Sequence, residues 1–333
     1  MLLVAALAAA GPVDAGQVLT SVQARGVLRC GVSEGIPGFS QRDAADRWQG
    51  LDADFCRAVA AAVLGDGERV EFVPLKASAR FPALQARRVD LLARNTSWTL
   101  TREAILKVRF PAVLYYDGQA FLVPRAAGIS TPDELNGATV CVEKGTNHER
   151  NLERYGKRRG LSFTPLVIDS AREVAAAFFA GRCAAYTSDA SQLAAKRVEA
   201  PGGPNGYVLL PERISKEPLA PVIWGDDPEW ETIVRWVLLV LVLAEEEGVT
   251  RDNLDLKATA VVGQIASLSE DEKRLVGQAM GLTKGWALRA VAAVGNYGEI
   301  FERNLGRGSA LGIERGLNHL WTRGGLMYAP PID

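Results

Sequence analysis

The sequence predicts an α/β protein of two lobes, each built from βαβ units, joined by two crossing strands. Three observations predict it. The chain has 333 residues, room for two domains of ordinary size. Short apolar runs alternate with helix-period segments in two successive series. Two extended segments, residues 118–125 (GQAFLVPR) and 220–225 (APVIWG), break that rhythm and separate the series. The boundaries that follow place residues 1–16 outside the fold. Residues 17–119 with 222–333 form the first lobe and a C-terminal extension, and residues 120–221 form the second lobe.

The elements follow in order. Residues 27–33 (VLRCGVS) read as a strand and 53–65 (ADFCRAVAAAVLG) as a helix. In that helix Phe55, Val59 and Val63 recur every fourth residue, and Gly65 stands where a left-handed C-cap belongs. Residues 69–75 read as a strand, 80–88 as a helix and 89–93 (VDLLA) as a buried strand. The second series begins at "STPDELNG", with a hydroxyl cap and Pro132 in the first turn, and continues into the strand "ATVCV". A helix follows Gly145, a strand covers residues 164–168, and a helix covers 170–181, where Ser170 and Glu173 have capping-box spacing. The strand "CAAYTS" and a helix from Asp189 close the series. Residues 228–248 form a Trp-bearing helix. The run 233–244 (IVRWVLLVLVLA) is interrupted by Arg235, is shorter than the roughly 20 residues of a membrane span, and runs into three glutamates, so it is a buried helix. The tail from Asn253 is predicted to pack along the first lobe.

Composition narrows the function. The chain is 48% hydrophobic and 23% charged with a net charge of -1, and it has no basic stripe interleaved with aromatics, which argues against nucleic acid. "GKRR" at 156–159 reads as a solvated helix end. The first ten residues, "MLLVAALAAA", followed by Gly11-Pro12, have the apolar and small-residue character of a secretory signal, although no Lys or Arg precedes them. Export then starts the mature chain near Gln17; the alternative is an Ala-rich frayed end. The four cysteines show no CxxC spacing, so no metal site is expected. Their positions favour Cys30–Cys56 and Cys141–Cys183 among the three possible pairings, one bridge per lobe, as an oxidising compartment permits. Reduced, buried thiols are the competing reading, above all for the first pair.

Three polar clusters fall at strand ends, where a parallel sheet places its ligands. "ARNTSWTLTR" (93–102) follows the strand "VDLLA" and offers an amide, hydroxyls and a guanidinium, a donor set suited to a carboxylate. "CVEKGTNHER" (141–150) runs from a strand through Gly145-Thr146 to a helix start, where free N–H groups favour an anion. "YTSDASQL" puts Asp189 between a strand and a helix. Two anion grips and one carboxylate match an α-amino acid: Asn95, Ser97 and Arg102 for its carboxylate, backed by Thr146, and Asp189 for its ammonium.

The segments "GIPGFS", "GLDADFCRAVAAAVLGD", "ARNTSWTLTRE", "YYDGQAFLVPR", "LNGATVCVEKGT", "AGRCAAYTSDAS", "ISKEPLAPVIW", "AVGNYGEIFERNLG" and "GLNHLWTRGGLMYAPPID" together resemble the general L-amino-acid-binding proteins of bacterial ABC uptake systems, which are periplasmic type II solute receptors. The resemblance runs in order from about residue 20 to the end. It implies a type II periplasmic-binding-protein fold, a monomer that hands an L-amino acid to a membrane permease, and no cofactor. By position it implies Ser97 and Arg102 on the carboxylate, Asp189 on the ammonium, Asn95 through its carbonyl and Thr146 from the second lobe. Phe39 matches an aromatic flanking the ligand side chain, and Glu34 and Arg80 lie near the selectivity region. The chain departs from the resemblance at "GTNHE", where a Thr-rich "GTTTE" is expected, which places Asn147 and His148 at the pocket rim.

Each residue also has a plainer reading. Arg102 suits a surface ion pair at a helix start, Asp189 an N-cap, Thr146 a turn, Phe39 the core, and His148 a solvated surface. Asp52 and Asp54 suit a helix start and receive no ligand role. Two rival functions use the same fold: a dehydratase-like enzyme, for which no catalytic set stands out beyond Glu143, and a sensor that presents its closed form to another receptor.

Overall fold

The computed structural model describes residues 16–254 and 276–332. It opens with a helix the sequence reading left out, α1 (Gln17–Arg25), which buries Val18, Leu19 and Val22 on one face and ends on the left-handed Gly26. Strand β1 (Leu28–Val32) follows, then a short hairpin of β2 (Gln41–Arg42) and β3 (Trp48–Gln49). Helix α2 (Leu51–Leu64) comes next, almost wholly buried and closed by Gly65 in the left-handed conformation. Strand β4 (Val70–Pro74), helix α3 (Arg80–Gln85) and strand β5 (Leu91–Leu92) complete a parallel three-stranded sheet ordered β4-β1-β5. Helix α4 (Leu100–Leu106) and strand β6 (Val108–Arg109) lead to β7 (Tyr115–Asp117).

The second lobe is a five-stranded sheet. Strand β8 (Gln119–Pro124) lies inside it, followed by β9 (Thr139–Glu143), α5 (His148–Arg159), β10 (Thr164–Ile168), α6 (Ala171–Phe179), β11 (Ala185–Asp189), α7 (Ala190–Val198) and β12 (Tyr207–Leu209). The strand order is β10-β9-β11-β8-β12, with β10, β9 and β11 parallel and β8 antiparallel to β11. The chain returns through β13 (Glu217–Leu219) and β14 (Ile223–Trp224), which pair antiparallel with β7 and β6. The crossing is therefore shorter than the sequence suggests. Gln119–Leu122 hydrogen-bond along β11, so residues 119–124 belong to a sheet, and β7 with β13 makes the link.

Helix α8 (Pro228–Glu246) is capped by Asp227, whose carboxylate accepts from the Trp230 N–H at 2.8 Å, and starts on Pro228. It joins α2, α9 (Trp286–Val294) and α10 (Tyr297–Asn304) in the largest apolar core, which continues to Leu320 and Met327. No described helix is long and apolar enough to cross a membrane. Residues 315–318 come back to the hinge. The Asn318 side chain accepts from the Tyr116 N–H at 2.7 Å and donates to the Tyr116 carbonyl at 3.0 Å, as a strand neighbour would. Both disulfides form, Cys30–Cys56 tying β1 to α2 and Cys141–Cys183 tying β9 to the turn before β11. The candidate signal lies outside the described residues, save Gly16.

Candidate ligand-binding site

The first-lobe wall is built where β5 runs out. Asn95 takes a φ of 40°, a left-handed conformation that asparagine tolerates better than most residues. The turn lays residues 96–98 against the hinge: the Trp98 N–H donates to the Pro218 carbonyl at 2.8 Å and the Ala220 N–H to the Thr96 carbonyl at 3.0 Å. Thr99 then caps α4, placing Arg102 in its first turn. The Arg102 guanidinium is buried, lies 5.3 Å over the Phe81 ring and donates to the Ser97 carbonyl at 2.6 Å. Arg80 covers Phe81 at 5.0 Å and reaches across to the Gly145 carbonyl at 3.3 Å. Arg94 donates to the Leu75 carbonyl at 2.8 Å and to Glu143 of the other lobe at 3.2 Å. Three guanidiniums thus share one buried wall.

The second-lobe wall carries the opposite charge. β9 ends in Glu143. Gly145 follows at a φ of 77°, and a Cβ there would come within 2.8 Å of the Ser78 Cα, so only glycine lets the lobes meet this closely. Asp189 ends β11 at the N-cap position of α7, yet its side chain makes no capping bond. One of its oxygens instead lies 3.0 Å from the His148 Nε2. Between the walls, on β13, the carboxylate of Glu217 accepts from Asn147 and Asn151, each at 2.7 Å, and from the hydroxyls of Ser97 and Ser215.

Burial sets the electrostatics. Desolvation, with Arg102 and Arg94 close by, lowers the Arg80 pKa well below its usual value. Desolvation also brings Arg102 down to about 10, against the opposing pull of Glu217. Burial raises Asp52, at the start of α2, to about 7 even though Arg94 and the Asn95 N–H favour its charged form. Desolvation would likewise raise Glu217, but the His148 charge and the hydroxyl and amide donors outweigh it and hold the group below its usual value. Several buried polar atoms have no partner among the described residues: both side-chain atoms of Asn95, Nε of Arg80, Nδ1 of His148 and one oxygen of Asp52.

Arg102, Ser97 and Arg80 therefore lie together on the first wall. Asp189 is linked to them through His148 and Glu217, and Asn95 is buried two residues before Ser97. Thr146 stands beside the cleft, with its hydroxyl donating to the Glu143 carbonyl at 2.7 Å and closing the local turn. Glu34 is exposed at the outer mouth of the cleft. Phe39 is buried and packs edge-on to Tyr115, with ring centroids 5.5 Å apart. Two rim expectations are corrected. Asn147 and His148 are buried, because α5 starts inside the cleft and Glu217 and Asp189 claim their polar atoms. Glu217, Arg94 and Asn151 were not singled out from the sequence; a glutamate inside the extended segment "ISKEPLAPVIW" was the available signal for the first.

Two α/β lobes linked by paired strands, closing a charged cleft at the ends of their sheets, define a hinged solute receptor. The chain belongs to the bacterial extracellular solute-binding proteins, family 3, which its residues 28–296 match. It is 44% identical to the general L-amino acid-binding periplasmic protein AapJ of Rhizobium johnstonii over 98% of this chain and 96% of that one. It is 46% identical to the glutamate/glutamine/aspartate/asparagine-binding protein BztA of Rhodobacter capsulatus over 94% of this chain and 93% of that one. Among solved structures it resembles a periplasmic binding protein of an ABC transporter from Brucella ovis with glutathione bound, with a TM-score of 0.87, 42% identity, and coverage of 95% and 99% of the two chains.

Proposed function

We propose that this chain is the periplasmic amino-acid receptor of an ABC uptake system, a monomer that closes on an L-amino acid and delivers it to a membrane permease. The moving bodies are residues 17–119 with 222–333 and residues 120–221. Arg102, Ser97 and Asn95 take the α-carboxylate, Asp189 takes the α-ammonium, and Thr146 contributes from the second lobe. One observation carries the reading: buried guanidiniums face buried carboxylates across a hinge, the polarity a zwitterion needs, and a ligand touching both walls favours the closed form. The relatives are solute-binding proteins, and that supports a binding role.

Acidic side chains are preferred. Arg80 is 2% exposed and its Nε has no partner, so a second ligand carboxylate supplies what the wall lacks. The glutamate and aspartate named for the BztA relative, and the glutathione bound in the Brucella ovis structure, fit this preference. The test is calorimetric titration of the unfolded and refolded mature chain with a panel of L-amino acids and D-isomer controls. L-glutamate and L-aspartate should bind most tightly and D-isomers not at all. Asp189→Asn and Arg102→Ala should each cost about 2–5 kcal/mol, at least ~30-fold in affinity. Normal affinity in either variant removes that residue's assignment.

A further inference from the structure

His148 stands where Asp189 needs a cation. One ring nitrogen of His148 and one carboxylate oxygen each of Asp189 and Glu217 lie within 4.8 Å of one another, and all three residues are buried. Glu217 already accepts from Ser97, Ser215, Asn147 and Asn151, so this pocket is built around hydrogen-bond donors. Asp189 holds the imidazole with one oxygen, and its other oxygen accepts no hydrogen bond among the described residues. An imidazolium between two carboxylates occupies the electrostatic role that a ligand ammonium would take.

We propose that His148 competes with the ligand's ammonium for Asp189, so that capture of an amino acid expels a proton from the His148 ring. The inference rests on the ammonium role of Asp189 proposed above. In the balance of the step, the imidazolium N–H gives its proton to solvent, the neutral ring remains, and an ammonium N–H takes up the Asp189 carboxylate. The groups facing the ring are Asp189 at the end of β11, Glu217 on β13 and Glu143 at the end of β9. Burial alone would lower the His148 pKa, but the charge and hydrogen bond of Asp189, with Glu217 and Glu143, raise it above 6.5 on balance. Those carboxylates favour the imidazolium before ligand arrives. Arg80 and Arg102 also feel Asp189, but guanidiniums keep their protons in proteins, so the proton that leaves is the imidazole's. A ligand without a charged amino group displaces nothing, so the matching oxo acid should release no proton from His148.

The test is titration of the full mature chain with L-glutamate at pH 5.5 to 8.5, in phosphate and in Tris, whose ionisation enthalpies differ. The expected result is release of close to one proton at the acid end and an affinity that tightens by up to about tenfold per pH unit below the imidazole pKa. His148→Gln, which keeps a donor but cannot titrate, should release no proton and bind equally across the range. Since the chain has only two histidines, ring nitrogen resonances give a second readout that needs no variant: one ring should pass from imidazolium to imidazole when L-glutamate is added at pH 6.5. Binding without proton release, or an unchanged pH profile in His148→Gln, overturns this inference alone. Failure of L-glutamate to bind at any pH, or full affinity in Asp189→Asn, overturns it together with the ligand reading.

Discussion

The two walls of the cleft are opposites. The first lobe presents Arg80, Arg94 and Arg102, and the second presents Glu143 and Asp189, with Glu217 on the connecting strand. Each wall by itself crowds like charges, and Arg80 carries the mark of it, lowered by Arg102 and Arg94 after desolvation. Only contact between the walls relieves both. The lesson is that closure and charge compensation are one event here, and a zwitterion of the same polarity can enter without reversing the field.

The contact that most directly tests this pairing is Arg94 with Glu143, 3.2 Å apart with both side chains under 5% exposed. Neutralising one partner leaves the other charge buried and unpaired. Glu143→Gln should weaken the closed form by about 3–5 kcal/mol. Small-angle scattering should then show a more extended ligand-free chain, and amino-acid affinity should fall in proportion. Replacing both, as Arg94→Met with Glu143→Leu, should recover much of the loss. An unchanged scattering profile in the single variant would mean that the walls do not compensate each other.

Asp52 is the exception on the cationic side, and it sharpens the comparison. Its carboxyl is raised from 3.8 to about 7, first by burial, with Arg94 opposing. A group whose folded pKa exceeds its unfolded value holds its proton more tightly in the fold, so its contribution to stability falls as pH rises from about 4 to 7. Asp52→Asn keeps an acceptor for the Asn95 N–H without the buried charge. Relative to the parent, the variant should gain about 4 kcal/mol at pH 8 and little at pH 4. Melting curves of both proteins across that range measure it. A gain that does not depend on pH would place the effect in packing.

How much of this could be read from the residues divides along the same line. The parallel strands, α2 with its Gly65 cap and the long α8 follow from hydrophobic period and cap chemistry, which are local. Arg102 and Asp189 stand out in the sequence because Arg102 closes a polar segment that follows a strand, in the first turn of α4, and Asp189 ends a strand beside other polar groups. Glu217 does not, since it lies in an extended apolar segment, and its meaning comes from Asn147 and Asn151, which are 70 and 66 residues away. His148 was misread for a similar reason. A histidine at a helix start is solvated unless the tertiary fold brings a carboxylate to it, and no pattern within α5 announces Asp189. The segment 118–125 reads as a crossing because a buried sheet strand and an extended linker look alike until the partner strands are known.

The weakest contact between the lobes completes the comparison. At the outer edge of the cleft the Lys76 ammonium lies 2.9 Å from Asp169, whose other oxygen accepts from the Ser78 hydroxyl at 3.0 Å. Both charged side chains are 42% exposed, so water competes for them and their desolvation cost is small. The same geometry that makes Arg94–Glu143 decisive therefore counts for little here. Lys76→Ala should lower ligand affinity no more than about fivefold, and the difference should vanish in 1 M salt, where the screening length is only about 3 Å. The buried pair should keep its effect at that salt concentration. A large, salt-resistant loss in Lys76→Ala would show that the rim, and not the charged walls, holds the lobes together.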